Sequence, residues 1–202
     1  SIEAFVEKEP ITILCSEVGW MRAMKGHSDE PLEVKYKEGD APRFEIQAYT
    51  TDKLLLFASD GRFYTIACDK IPRGKGYGEP VRLMVGLENE EDLGGLFPFE
   101  SGRKLLVASS VGKGFIVDEE DVVAQTKSGK QVLNLPKGAK AVICTPAEGD
   151  HVAVVGSNRK FLVFPLDQVP EMKRGQGVAL QKYKGAQLTD AKVFTLKDGL
   201  DW

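Results

Sequence analysis

A pattern of roughly fifty residues runs through this chain four times and starts again near its end. Each copy holds an apolar run, a tight polar turn, a second apolar run and a short basic loop containing glycine. The paired runs are Ile11–Cys15 with Trp20–Met24, Leu54–Ala58 with Phe63–Ala67, Leu105–Ser109 with Gly114–Val117, and Val152–Gly156 with Phe161–Phe164. Strand repeats of this length mean blades of a propeller or a related array. One hairpin cannot bury its apolar face alone, but neighbouring blades can do so together. The expected fold is therefore all-β: a propeller-like disc of about five blades in one domain over 1–202. The blades fall at about 1–40, 41–92, 93–138 and 139–188, with a partial blade at 189–202.

Within a copy, Pro42–Tyr49 alternates apolar and polar residues, as a half-buried strand does. Leu54–Ala58 is apolar on both faces, which suits an inner strand covered on both sides. Ser59-Asp60-Gly61-Arg62 turns the chain. Cys68–Pro72 descends as a short turn anchored by Ile71, and Pro72–Gly78 closes the blade. Asp118–Val123 and Leu166–Pro170 match the anchored turn; Leu96–Phe99, Ala141–Cys144 and Val193–Leu196 match the leading strand. The last of these opens a fifth hairpin that does not follow. No stretch of ten residues has a 3.6-residue period, so little helix is expected.

The chemistry of catalysis is missing from this pattern. His27 and His151 stand apart from any nucleophile or metal motif and are expected as solvated or turn residues. Cys15, Cys68 and Cys144 are widely spaced in apolar surroundings, which suits buried free thiols in a reducing cytoplasm. Glu119 and Glu120 are expected in a solvated turn. Gly74-Lys75-Gly76-Tyr77-Gly78 has the composition of a phosphate loop but lacks its spacing. The chain starts at Ser1 rather than Met, as a piece of a longer protein would. It carries no basic n-region, and no apolar run approaches a membrane span.

What recurs is positive charge. The net charge is −3, but a polyanion feels the local field within about 8–10 Å. Cations fall in or just after the hairpin turns: Arg22 with Lys25, Arg62, Lys113, and Arg159 with Lys160. They fall again in the glycine-containing loops: Arg73 and Lys75, Lys127 and Lys130, Lys173 and Arg174. Around a disc these twelve form a belt of phosphate contacts that reads backbone rather than bases. Acids gather elsewhere, at 88–92 and 118–121.

From these loops the chain resembles the C-terminal domain of the A subunit of bacterial type IIA topoisomerases, and topoisomerase IV in particular. The carrying segments are Gly19-Trp20-Met21-Arg22-Ala23-Met24-Lys25-Gly26-His27, Arg73-Gly74-Lys75-Gly76-Tyr77-Gly78-Glu79-Pro80, Gly112-Lys113-Gly114-Phe115 and Lys173-Arg174-Gly175-Gln176-Gly177. The resemblance implies a β-pinwheel, a disc whose blades exchange strands. It implies a non-catalytic module that binds and bends double-stranded DNA along its perimeter. Its partners would be the remainder of the A subunit together with the B subunit, in the bacterial cytoplasm. It implies no cofactor here; the ATP and Mg2+ of such a complex belong to other domains. Gyrase domains carry a Gln-Arg-Arg-Gly-Gly-Lys-Gly box, of which this chain has only shortened relatives, so weaker bending rather than full wrapping is implied. Two other readings are a gyrase-type wrapping domain and a protein-binding propeller whose basic loops serve solubility.

Overall fold

The computed structural model describes residues 5–74 and 76–202, so Lys75 lies outside the described residues. In chain order the strands are β1 (Pro10–Ser16), β2 (Trp20–Lys25), β3 (Pro42–Tyr49), β4 (Lys53–Ala58), β5 (Arg62–Ala67), β6 (Glu79–Pro80), β7 (Leu93–Pro98) and β8 (Lys104–Ser109). They continue with β9 (Lys113–Asp118), β10 (Lys130–Gln131), β11 (Ala141–Pro146), β12 (His151–Gly156), β13 (Phe161–Pro165), β14 (Val178–Ala179) and β15 (Leu188–Phe194). Four antiparallel sheets result, ordered β3-β1-β2-β6, β7-β4-β5-β10, β11-β8-β9-β14 and β15-β12-β13.

The four hairpins form where the paired apolar runs place them, and β4 and β8 are buried along almost their whole length. That two-sided burial is why their sequences are continuous apolar runs rather than alternations. Short 3-10 turns follow β5, β9 and β13 at Cys68–Lys70, Glu119–Val122 and Leu166–Gln168. The anchors Ile71, Val122 and Val169 of these turns are buried. A one-turn helix, α1 (Val81–Met84), appears where the pattern gave none, with the Val81 amide bonded to the Gly19 carbonyl at 2.8 Å.

Strand exchange departs from the simple repeat. The alternating strand β3 pairs backward with β1, not with the hairpin that follows it; Ile46 lies opposite Ile13. β7 pairs with β4, β11 with β8 and β15 with β12 in the same way. Register explains the direction: Phe44 and Ile46 point to the apolar face that Ile13 and Cys15 begin, and a strand pairs where its apolar side is buried. For the same reason Leu188–Phe194 completes the edge of the fourth sheet and, among the described residues, opens no fifth one; a 3-10 turn, Leu196–Asp198, follows it.

The fourth strands are two residues each and also come from the next repeat. β6 pairs with β2, β10 with β5 and β14 with β9. Two of their seats require glycine. Gly78 and Gly177 sit at φ +82° and +81°, and a Cβ on either would collide with the carbonyl of Met21 or Gly114. Three hairpin turns are each tied to the leading strand beside them by a serine hydroxyl. Ser59 Oγ accepts from the Asp92 amide at 2.8 Å, Ser110 Oγ from the Lys140 amide at 3.0 Å and Ser157 Oγ from the Gln187 amide at 3.0 Å.

The sheets stack face to face. One apolar cluster joins the first sheet to the second through Ile13, Met21, Leu56 and Tyr64. A second joins the second to the third through Phe57, Phe63, Val107 and Phe115. The last joins the third to the fourth through Leu106, Ile116, Val152 and Val154. Leading strands β3, β7, β11 and β15 meet their neighbours in succession, so they lie on the inside of the curve. The short fourth strands lie at the opposite edge.

Candidate nucleic-acid interface

The cations of the outer edge are best placed through strand register. Cys15 faces Met21, Phe57 faces Phe63, Ala108 faces Gly114 and Val155 faces Phe161. The residues just before these are Trp20, Arg62 and Lys113, each the first of its strand, and Lys160, which immediately precedes β13. Three of the four sheets therefore hold a cation at one structural position. Arg62 is 39% exposed in its side chain, and Lys113 and Lys160 are exposed.

Arg22, expected to join this set, does not. It sits two residues further on, level with Tyr64, Phe115 and Leu162, and is only 9% exposed. Its guanidinium donates to the Gly76 carbonyl and, at 3.2 Å, to the Lys35 carbonyl. Tyr64 and Phe115 at this level are likewise buried in the stack, so Arg22 is an internal clamp rather than a surface contact. Counting residues from the turn puts Trp20 and Arg22 in the same short window; only the ladder separates them.

The second sheet gathers the densest group. Arg62 donates to the Ser128 carbonyl at 3.3 Å, which draws the Lys127–Lys130 loop onto β5, and Lys130 lies opposite Phe63 in the ladder. The Lys127 and Lys130 side chains stay exposed. Lys173 and Arg174, also exposed, lie on a loop that spans two sheets. The Met172 amide bonds the Ile116 carbonyl of β9 at 2.8 Å, and the Gly175 amide bonds the Val132 carbonyl beside β10 at 3.0 Å. The Lys173–Arg174 pair thus bridges the second and third sheets, and Lys113 stands on β9 itself, opposite Ala179.

Other expected contacts lie apart from this group. Arg73 bridges Ala23 of the first sheet and is engaged by Glu9 at 3.5 Å. Lys25 is exposed at the far end of β2, away from the hairpin turn. Arg159 holds the turn before β13 at φ +65° and is exposed.

Carboxylates interrupt the edge locally. Asp60 lies 3.8 Å from Arg62, and Asp118, Asp121 and Glu171 share a surface hollow with Lys173. Further acid stands at the end of the sheets bearing the 3-10 turns, where Asp69, Glu120, Asp121 and Asp167 lie. Segment 88–92 wraps a guanidinium: Arg82 donates to the carbonyls of Glu88 and Asn89, each at 3.3 Å, and of Glu91. Glu91 also accepts from Ser59 Oγ and pairs with Lys140 at 3.3 Å.

Glu119 overturns the expectation of a solvated turn. It is fully buried, with its carboxylate bonded to Arg103 Nε at 2.5 Å and Nη2 at 2.8 Å, and to the Glu100 amide at 2.9 Å. The hydrogen bonds to Glu119 hold the Arg103 guanidinium above its ordinary range. Nothing local in sequence marks a pair sixteen residues apart. Glu120 does remain exposed, accepting from Ser101 at 2.8 Å.

Burial pushes the Cys15 thiol up to about 11 and Cys68 to about 12 and raises Cys144, which is half-buried. His27 is exposed, with Nε2 at 2.8 Å from the Ala48 carbonyl. Among the described residues no group of three or more His, Cys, Asp or Glu is arranged to hold a metal, and no helix is long and apolar enough to cross a membrane.

Known proteins are similar to this chain in sequence and fold. The family described as DNA gyrase C-terminal domain, β-propeller, matches residues 103–146 and 150–195. The A subunit of DNA topoisomerase 4 from Rickettsia bellii is 52% identical over 201 residues, covering 100% of this chain and 27% of that protein. The Caulobacter vibrioides protein of the same name is 50% identical over 202 residues, covering 100% of this chain and 26% of that one. The solved E. coli ParC C-terminal domain superposes with a TM-score of 0.83 at 26% identity, covering 91% of this chain and 78% of that one. The chain belongs to the family of gyrase A-like C-terminal domains found in bacterial type IIA topoisomerases. It spans about a quarter of the length of the curated relatives it matches.

Proposed function

We propose that this domain binds duplex DNA along its outer edge and bends it, presenting a transfer segment to a topoisomerase IV-type enzyme for decatenation and relaxation. The remainder of the A subunit together with the B subunit supplies cleavage, ATP and Mg2+, and the module itself needs no cofactor. Its place of action is the bacterial cytoplasm, at the nucleoid. The observation that carries this reading is the in-register series Arg62, Lys113 and Lys160, reinforced by Lys127, Lys130, Lys173 and Arg174. A row of exposed cations at one structural level fits a phosphate backbone, which is a row of anions, and it reads no bases. Arg73 and Arg159 extend the row toward the first and fourth sheets. Lys25 and Lys75 complete the set put forward as contacts; Arg22 is left out of it.

A salt titration of duplex binding tests the proposal. Neutralising about five phosphates gives a slope of log K against log salt near −4 to −5. Absence of binding at low salt contradicts it. Ligation of nicked circles in the presence of the domain measures writhe: weak writhe fits bending, and strong positive writhe favours a gyrase-type wrap.

A further inference from the structure

The first sheet breaks the cation register, since Trp20 stands where Arg62, Lys113 and Lys160 stand in the others. Its surroundings differ too. The second, third and fourth sheets each lie against a preceding sheet. Against the first sheet lies an irregular segment instead, residues 31–37. Arg22 fixes that segment by donating to the Lys35 carbonyl, and the Leu32 amide bonds the Glu45 carboxylate of β3 at 3.1 Å. Two residues beyond Lys35, the Lys37 ammonium sits 3.6 Å from the centre of the Trp20 ring. Lys37 is exposed, and nearby Asp40 turns its carboxylate to the Val18 and Ala41 amides at 3.1 and 2.8 Å.

The geometry points to Lys37 as the phosphate-binding cation of the first sheet, held at the shared rim position by the Trp20 ring beneath it. The positive charge absent from this one position of the strand is restored from the covering segment, and the indole face keeps it there by cation–π attraction. An ammonium stacked this way keeps donors directed outward for a second, anionic partner. Arg22 is then a positioning residue: its bond to Lys35 sets the segment that delivers Lys37. This inference rests on the proposal that the outer edge binds nucleic acid, and it adds a contact that neither the repeat pattern nor the loop composition marks.

The test is a salt titration on one duplex with the unaltered domain, Lys37→Gln, Lys37→Arg, Lys113→Gln and Trp20→Leu. Thermal melting first establishes that each variant folds. Loss of one phosphate contact reduces the slope by about 0.9 and the affinity at 0.1 M salt by roughly eightfold. Lys37→Gln is expected to match Lys113→Gln in both, and Lys37→Arg to keep the slope. Trp20→Leu is expected to weaken binding with every charge retained. If Lys113→Gln loses affinity and Lys37→Gln does not, this inference is overturned and the rim proposal stands. If the unaltered domain fails to bind at low salt, both are overturned.

Discussion

Phe63 and Phe161 hold the same place in their sheets, one residue after the rim cation of the second strand. Phe63 is completely buried and Phe161 is 52% exposed. The hairpins around them are alike in register, with Phe57 opposite Phe63 and Val155 opposite Phe161. What differs is the company. The second sheet has the third stacked on its far face and β10 along its edge, whereas the fourth is a three-stranded sheet. Local sequence therefore decides which residues face each other across a hairpin, and the neighbouring repeat decides how much of the hairpin is buried. The rim follows the same rule: Arg62 is tied down by the Ser128 carbonyl of a loop that β10 anchors, while Arg159 and Lys160 stand on an edge that has no fourth strand among the described residues.

The sharpest way to break this comparison is to truncate both rings. Phe63→Ala should cost about 3–5 kcal/mol, the usual loss for a buried aromatic, and Phe161→Ala well under half of that. Denaturant unfolding of the two variants gives the numbers, and equal losses would refute the contrast. A second contrast lies at the other end of the sheets. Glu119 and Leu166 are equivalent, each donating its amide to the turn before the preceding strand, at the Arg103 and Asp150 carbonyls. In the third sheet this place holds the buried Arg103–Glu119 pair; in the fourth it holds the more exposed His151–Asp150 contact at 2.8 Å. Arg103→Leu strands a buried carboxylate and should cost about 3–5 kcal/mol, read by the same unfolding measurement.

Gly177→Ala tests the seat of β14. Strain at positive φ and collision with Gly114 should cost about 1–3 kcal/mol, while Gly185, with open space around it, should tolerate the change better. Removing the Asp150 contact gives the smallest effect, and its pH dependence has a defined sign. The hydrogen bond from His151 holds the Asp150 carboxyl below its ordinary range, so its stabilisation is present above the unfolded carboxyl pKa. It fades as pH falls through the depressed folded value. Asp150→Asn should lower the melting temperature slightly at about pH 7 and leave it unchanged at about pH 2; a larger effect at the lower pH would reverse the sign. The raised thiols of Cys15 and Cys68 should likewise resist a thiol reagent at about pH 8 until the chain unfolds.

The hairpins and anchored turns were legible in the sequence because their signals are local. Apolar runs, a polar turn and an apolar anchor such as Ile71 act within a few positions of one another. The exchanged strands were not. Glu79–Pro80, Lys130–Gln131 and Val178–Ala179 each follow a glycine and precede a buried apolar residue, Val81, Val132 or Leu180, but so short a pattern names no partner, and each is a strand only because a different repeat offers it an edge. Leading strand β3 was legible as a strand but not in its allegiance, since alternation says that one face is buried and not against which hairpin. The rim was partly legible. Arg62, Lys113 and Lys160 follow their turns closely, yet spacing alone could not separate Arg22 from the position Trp20 holds. Lys37 gave no signal because it reaches that position from a segment outside any strand.

Mapping backbone amide shifts of the labelled domain as a short duplex is added asks most directly whether DNA follows the outer edge. The changes should trace Arg62, Lys113, Lys127, Lys130, Lys173 and Arg174 across consecutive sheets and should weaken with salt. Changes confined to the leading strands or to the acid-rich 3-10 turns, or no changes at low salt, would contradict a rim that carries duplex DNA.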